Sequence, residues 1–292
     1  MNKKTLSERQ NSSDSIDLLK AMRQSYDNGK CFRFTRIVIT ASIPIFSIFI
    51  INFNSDLKAF FALISAIWLA FSRLYFINFE KECIKTAAVL QEEFDTKLFK
   101  IPWNKMLVGE KINDKKRMLL SNKFKGDESK LLNWYPGLNK ISNENLTCLI
   151  CQRTSLQWEI ELRKYYKNRI LLPIFLFSLF IAFVTLFQFN LSFQTIILSI
   201  IIPSLPLLLH LIETLNAHKN QISVQEKVLS SINSSINDFE THNSNQIREY
   251  QNAIFMKRIE TNTVPSKIYW LKRDIYDDIA KRINQKTNET DN

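Results

Sequence analysis

Two cysteines with C-x-x-C spacing stand at Cys148 and Cys151, in the stretch CLICQRTSLQWEIELRKYY. This spacing occurs both in zinc sites, which need about four ligands, and in redox-active cysteine pairs. The other cysteines, Cys31 and Cys83, are isolated, and the three histidines lie far from the pair in the sequence. The pattern supplies no complete zinc set, so we predict no metal site and no cofactor, while a redox pair stays open.

Packing is the third interpretation of the same cysteines. On a helix, steps of three and four residues place side chains on one face, and cysteine behaves there as a small hydrophobe. A structural disulfide is not expected in a reducing cytoplasm. We therefore predict that the C-x-x-C pair opens an apolar helix face. That face consists of Cys148, Cys151, Ser155, Trp158, Leu162 and Tyr165.

Four polar and aromatic residues could bind an anionic ligand. The planar guanidinium of Arg153 suits phosphate, and this residue lies about five helical turns before the long uncharged run, too far to serve as a membrane anchor. Trp103 offers a ring on which a purine can stack. We predict a ligand-binding site made of Trp103, Asn104, Gln152 and Arg153. The alternatives are a core role for Trp103 and solvent exposure for Arg153.

Charged residues are absent from several long windows of the sequence, and these windows predict the membrane-spanning helices. The mean hydropathy of −0.12 hides windows without any charge. Residues 37–53 and 59–72 are uncharged, and residues 170–212 form one uncharged run of 43, split near residues 187–190. A bilayer core takes about 20 apolar residues as helix, and backbone groups in lipid must bond internally. We predict four transmembrane helices, arranged as two hairpins.

The basic residues predict the orientation of these hairpins. Residues 1–36 hold eight Lys/Arg and four Asp/Glu, and residues 73–169 hold 19 and 12. Membrane proteins carry an excess of Lys and Arg in their cytoplasmic segments, so both termini and the middle segment are predicted to be cytoplasmic. The predicted order is a cytoplasmic N-terminal helix (1–36), a first transmembrane hairpin (37–77), a cytoplasmic middle region (78–169), a second transmembrane hairpin (170–212) and cytoplasmic C-terminal helices (213–292).

Composition also narrows the class of function. The net charge of +11 is explained by the Lys and Arg residues that set the membrane orientation and by attraction to the lipid bilayer. No helix-turn-helix, zinc-finger or RNP pattern supports direct nucleic-acid binding. Four glycines are too few for a glycine-rich phosphate loop, and H-E-x-x-H and G-x-S-x-G are absent. We predict an all-α membrane protein with a helical cytoplasmic body and no catalytic residues.

A polar strip runs along the fourth predicted span. Its residues step by four, four, three and four, so they share one helix face. Each proline removes a backbone hydrogen bond, which frees carbonyls near Ser199 and Ile202. We predict that the strip lines a conducting path, and the alternative is ordinary packing against the third span. The strip consists of Thr195, Ser199, Pro203, Pro206 and His210.

Beyond the fourth span, a second pattern bears on assembly. Residues 229, 232, 236 and 239 are apolar at coiled-coil-like spacing, which fits either an oligomer contact or packing within one chain. Four helices per chain are too few to enclose a wide pore, so a homo-oligomer is implied for a pore.

Three motifs resemble a known family. ICQRTSLQWEIELRKYY, IPWNKMLVG and NWYP, with two hairpins around a middle region, are similar to the SMODS-associated four-transmembrane effectors of bacterial antiphage defence. The resemblance implies an inner-membrane effector that forms pores or disrupts the membrane when a cyclic oligonucleotide from a cognate nucleotidyltransferase triggers it. The alternative is a membrane sensor or scaffold that makes no pore and recruits a cytoplasmic partner.

Overall fold

Helices make up most of the part of the chain that the structure describes. The computed structural model describes residues 5–49, 55–135, 143–188, 191–237, 244–260 and 262–290, and no β-strand occurs among them. The helices are α1 (Leu6–Gln10), α2 (Ser13–Phe49), α3 (Ser55–Phe71), α4 (Ile77–Phe99), α5 (Lys105–Val108), α6 (Asp114–Lys123), α7 (Glu144–Tyr166), α8 (Leu172–Gln188), α9 (Phe193–Ile196), α10 (Ile202–Asn237), α11 (Ser244–Arg258) and α12 (Ser266–Thr290).

Short turns of tighter or wider winding join several of these helices. Three π-helical turns occupy Ser72–Phe76, Lys167–Leu171 and Ile197–Ile201, and a 3₁₀ turn occupies Glu128–Leu131. The π-helical turns join α3 to α4, α7 to α8 and α9 to α10, so long helical runs continue through them.

The chain divides into two compact units. The first, which we call the body unit, comprises Met1–Asn28, Lys81–Arg163 and Gln221–Asn292. The second, which we call the span unit, comprises Gly29–Glu80 and Lys164–Asn220.

Within the part of the chain that the structure describes, four helical runs are long and apolar enough to cross a membrane. They extend over Ser13–Phe49, Leu57–Phe99, Glu144–Thr185 and Phe193–Asn237. Large apolar side chains such as Phe46, Phe49 and Phe177 are exposed in the span unit, as contact with lipid requires. The prediction of an all-α membrane protein with four spans in two hairpins is confirmed. The connecting residues 50–54 and 189–190 lie outside the described residues.

The body unit has an apolar core made by α2, α4, α7, α10 and α11. Leu19, Met22, Phe94 and Leu149 are buried almost completely in it. Along α4, the apolar residues Ile84, Ala87, Phe94 and Leu98 recur at helical spacing, and all four are buried. Helix α4 ends at Phe99, and the next residue, Lys100, has a φ of 59°, outside the right-handed helical region, just before Ile101-Pro102.

Candidate functional site

The strip predicted on the fourth span is a buried packing face in this arrangement. Ser199 has no exposed surface, and Pro203 and Pro206 are buried. Thr195 is half-buried and accepts a hydrogen bond of 3.4 Å from Lys58 Nζ. The strip therefore faces other helices of the span unit along its central part.

The two carbonyls that the prolines free both have partners. Pro203 cannot donate to the carbonyl of Ser199, and Ser47 Oγ donates to that oxygen at 2.8 Å. Pro206 likewise cannot donate to the carbonyl of Ile202, and Ser65 Oγ donates to it at 3.1 Å. A carbonyl without a donor inside a bilayer is costly, so these two serines make the paired prolines tolerable.

The helices that supply these donors differ from the one named in the packing alternative. Ser47 belongs to α2 and Ser65 to α3, whereas the packing alternative had placed the strip against the third span. The prediction that the strip lines a conducting path is not tested by this arrangement and stays a prediction.

An ionic cluster surrounds the last residue of the strip. The guanidinium of Arg36 lies 3.3 Å from His210 Nδ1 and donates to Glu80 at 3.1 Å. Arg33 contacts the same carboxylate at 2.8 Å, and Glu80 is only 1% exposed. Next to the cluster lies a cavity of about 20 Å³, room for about one water molecule. His210 is thus held as a hydrogen-bond partner of the Arg36 guanidinium.

Two of the four predicted ligand residues lie together at α5. The indole of Trp103 donates to the carbonyl of Gly109 at 2.9 Å, and the Lys111 ammonium lies 5.3 Å from the ring centre. Asn104 caps α5 by accepting from the amide of Leu107 at 3.2 Å. Trp103 is half-buried, so part of its surface remains accessible.

The other two predicted ligand residues lie on α7. Gln152 is 1% exposed and donates to the carbonyl of Ile247 and to Gln251 Oε1, both at 3.1 Å. Arg153 is only 9% exposed, so the alternative of solvent exposure is wrong.

Helix α11 links the two pairs. Asn104 Nδ2 donates to Asn252 Oδ1 at 3.3 Å, and Gln152 contacts the neighbouring residue Gln251. Their role in binding a ligand stays a prediction.

A buried charge network that the sequence did not predict ties α11 to α4. Glu92 is fully buried and accepts from Arg248 at 2.7 Å and from Gln251 at 2.7 Å. Asp95 is 1% exposed and accepts from Arg258 at 2.6 Å and from the Tyr135 hydroxyl at 3.0 Å. The only hint in the sequence is the run EEFD on a helix with alanines at 87 and 88, where small residues permit close packing.

The adjacent cations of α11 show how burial and charge compete. Burial, the largest single effect, opposes the charged form of Arg258, but Asp95, Tyr135 and Glu92 together outweigh it and raise the pKa of the guanidinium. Burial lowers the pKa of Lys257 to about 8, although its partner Glu159 opposes the shift. Glu159 also accepts from Arg163 at 2.7 Å. The body unit therefore keeps several charges away from water, each with an opposite charge nearby.

The C-x-x-C pair is part of the core. Cys148 is 2% exposed and Cys151 is fully buried, and both belong to the main apolar cluster of the body unit. Both are free thiols, and no group of three or more His, Cys, Asp or Glu able to hold a metal occurs among the described residues. Packing, the third interpretation, is the one that the structure supports.

Comparison with known proteins identifies the family. The family model described as the SMODS-associating 4TM effector domain matches residues 4–287. The chain belongs to the SMODS-associating 4TM effector family. A protein of Bacillus cereus (strain VD146), named a probable CBASS effector molecule, is 37% identical over 290 residues, which cover 95% of this chain and 96% of the relative. No solved structure matches the chain.

Membership in the SMODS-associating 4TM effector family confirms the resemblance found in the sequence. The match includes both hairpins, the polar strip, the buried network and all four predicted ligand residues. The protein is therefore a multi-pass membrane protein of an effector family, and its spans and body unit are parts of one effector domain.

Proposed function

We propose that this SMODS-associating 4TM effector acts in antiphage defence in the bacterial inner membrane. Both termini and residues 73–169 lie in the cytoplasm, where a cyclic nucleotide made by a cognate nucleotidyltransferase binds the body unit. Binding makes oligomers of the chain form pores in, or otherwise disrupt, the membrane. The chain acts through assembly rather than through catalysis.

The observation that carries this proposal is the strip on the fourth span. Two proline-freed carbonyls lie in an apolar span, and one serine hydroxyl from each of two other helices bonds them. If those helices separate, the carbonyls lose their donors and need water or ions in their place. A span with such a face is stable when packed and hydrophilic when opened, as a triggered pore requires.

The ligand site is proposed at Trp103, Asn104, Gln152 and Arg153. Trp103 has an accessible part and a neighbouring ammonium at Lys111, which suits a base next to a phosphate. Arg153→Ala should weaken cyclic-nucleotide binding by about 1.5–3 kcal/mol if the guanidinium makes a charged hydrogen bond to the ligand. Calorimetry on the folded full chain measures this, and an unchanged affinity removes Arg153 from the site.

The membrane effect is tested by co-expression with the cognate nucleotidyltransferase. We expect growth arrest together with loss of membrane potential, reported by a potential-sensitive dye. A catalytically inactive synthase is the matched control and should leave the potential unchanged. Growth arrest at an unchanged potential would support the sensor or scaffold that makes no pore.

A further inference from the structure

The outer side of α12 carries an ordered row of aliphatic side chains. Leu271, Ile275, Ile279 and Ile283 are 66%, 53%, 47% and 36% exposed. Steps of four residues advance about 40° beyond a full turn, so the row forms a stripe about 120° wide and roughly 18 Å long. This is the width of the face that a helix normally buries. We call these four residues the α12 stripe.

The other side of α12 is already anchored in the body unit. The ring of Tyr269 lies 4.6 Å from that of Trp158, and the ring of Tyr276 lies 5.7 Å from it. Asn284 is 1% exposed and accepts from Thr154 Oγ1 at 3.1 Å. The helix therefore docks through aromatic and polar side chains, and its aliphatic side faces outward. Ordered exposed apolar patches of this kind mark interaction sites.

The apolar seam beyond the fourth span does not supply such a surface. Ile232 is fully buried and Ile236 is 6% exposed, and both lie in the core of the body unit. Phe239, the last residue of the seam, lies outside the described residues. The interpretation of the seam as packing within one chain is supported at these two residues, so a contact between copies needs another surface.

Charges along the stripe indicate what covers it. Over the length of the stripe, residues 271–283, the exposed charged residues are Asp274, Asp278, Lys281 and Arg282, which balance one another, and Asp278 and Arg282 pair at 2.8 Å within the helix. A helix that lies on an anionic membrane surface is rich in cations on its polar side. Balanced charges beside an apolar stripe are typical instead of a helix that pairs with another protein helix.

The order of these charges favours a second copy of the same chain. In an antiparallel pair with the two-fold axis between Asp277 and Asp278, Asp274 of one copy lies level with Lys281 of the other. Asp278 then lies level with Asp277 of the other copy, but each of these aspartates is already paired with an arginine of its own helix. Both residues lie along the same edge of the stripe, and symmetry creates the contact twice. Edge charges of this kind select the orientation of paired helices.

We propose that two copies of this chain associate through the α12 stripe in an antiparallel arrangement, before any trigger is present. The pair would be the unit from which the larger oligomer of the proposed function is built, so the inference deepens that proposal. Aliphatic contacts supply the attraction, and the Asp274–Lys281 contacts supply the orientation.

The test uses the full chain in density-matched detergent and analytical ultracentrifugation. Ile275→Glu puts a charge in the centre of the stripe and should raise the dissociation constant of the pair by about tenfold or more. Met118→Glu is the matched control, because Met118 is 63% exposed on α6, away from the stripe in sequence. It should leave association unchanged.

A charge exchange tests the orientation with little risk to folding. Asp274→Lys should weaken the pair, and adding Lys281→Asp should restore it. A wild-type chain that stays monomeric, an unchanged Ile275→Glu, or a double variant without rescue would each overturn the proposal. Protection of an Ile279→Cys thiol by anionic lipid in monomeric protein would assign the stripe to lipid instead.

Membrane potential measured in the same variants separates this inference from the proposed function. A chain that depolarises cells but never pairs through the stripe refutes the stripe and leaves the effector role intact. A chain that pairs through the stripe but never depolarises cells supports the stripe and refutes the pore.

Discussion

At the scale of single residues, the buried charges of the body unit matter most for stability. Asp95 and Arg258 are each almost completely buried, and Arg258 Nη1 lies 2.6 Å from Asp95 Oδ2. Removing water from such a pair is costly, and removing only one partner leaves the other charge buried and uncompensated. The network therefore makes the contact between α4 and α11 intolerant of substitution.

We expect Arg258→Ala to destabilise the protein by about 3–5 kcal/mol, because it leaves the Asp95 carboxylate buried without its cation. Arg282→Ala is the control, since Arg282 also pairs with an aspartate, Asp278, but is 74% exposed. The control should change stability by about 1 kcal/mol or less. Denaturant unfolding followed by tryptophan fluorescence measures both, and equal losses would contradict a dominant role for the buried pair.

At the scale of elements, the contact of the fourth span with α2 and α3 is specified by two hydroxyl groups. Pro203 and Pro206 interrupt the backbone ladder, and Ser47 and Ser65 replace the missing donors. We expect Ser65→Ala to lower thermal stability in detergent, with a loss of about 1–3 kcal/mol for the unsatisfied carbonyl of Ile202.

Ser204→Ala is the control for this substitution. Ser204 lies on the same span, but its hydroxyl bonds the Ile200 carbonyl of its own helix at 2.6 Å. It should therefore change stability less than Ser65→Ala. Equal effects of the two variants would show that loss of a hydroxyl, and not loss of the contact between helices, causes the change.

A second prediction at this scale concerns water access to the strip. Ser199→Cys should react with a hydrophilic thiol reagent only after triggering, because Ser199 is fully buried in the packed arrangement. The background should carry Cys31→Ser and Cys83→Ser, which remove the two thiols outside the core, and keep the buried Cys148 and Cys151. Labelling that is the same before and after triggering would leave the strip a packing surface.

At the scale of the whole molecule, the distribution of Lys and Arg determines which side of the membrane each segment occupies. We expect a tag inserted at Asp127, which is exposed, to be labelled only after cells are permeabilised. A tag at the N-terminus should behave in the same way and serves as the second reporter. Labelling of either tag from outside intact cells would refute the proposed orientation.

The sequence by itself determined the fold class, the four spans and the packing role of the C-x-x-C pair. Hydropathy, helical periodicity and proline chemistry are local properties, so they can be recognised along a single stretch of chain. The uncharged windows, the apolar character of the C-x-x-C pair and the carbonyls freed by Pro203 and Pro206 were all predictable for this reason. The motifs around Cys151 and Trp103 also carried the family resemblance, which the family match confirmed.

Only the tertiary structure decided which groups meet. Ser47 bonds the Ser199 carbonyl across 152 residues of sequence, and Arg258 meets Asp95 across 163. Such pairs depend on how the helices pack, and the residues next to each partner in the sequence do not predict them. The same holds for α12, whose periodicity was visible although the side that would stay exposed was not. That side was decided when Tyr269 and Tyr276 packed on Trp158, because a helix anchored through one face must leave the opposite face outward.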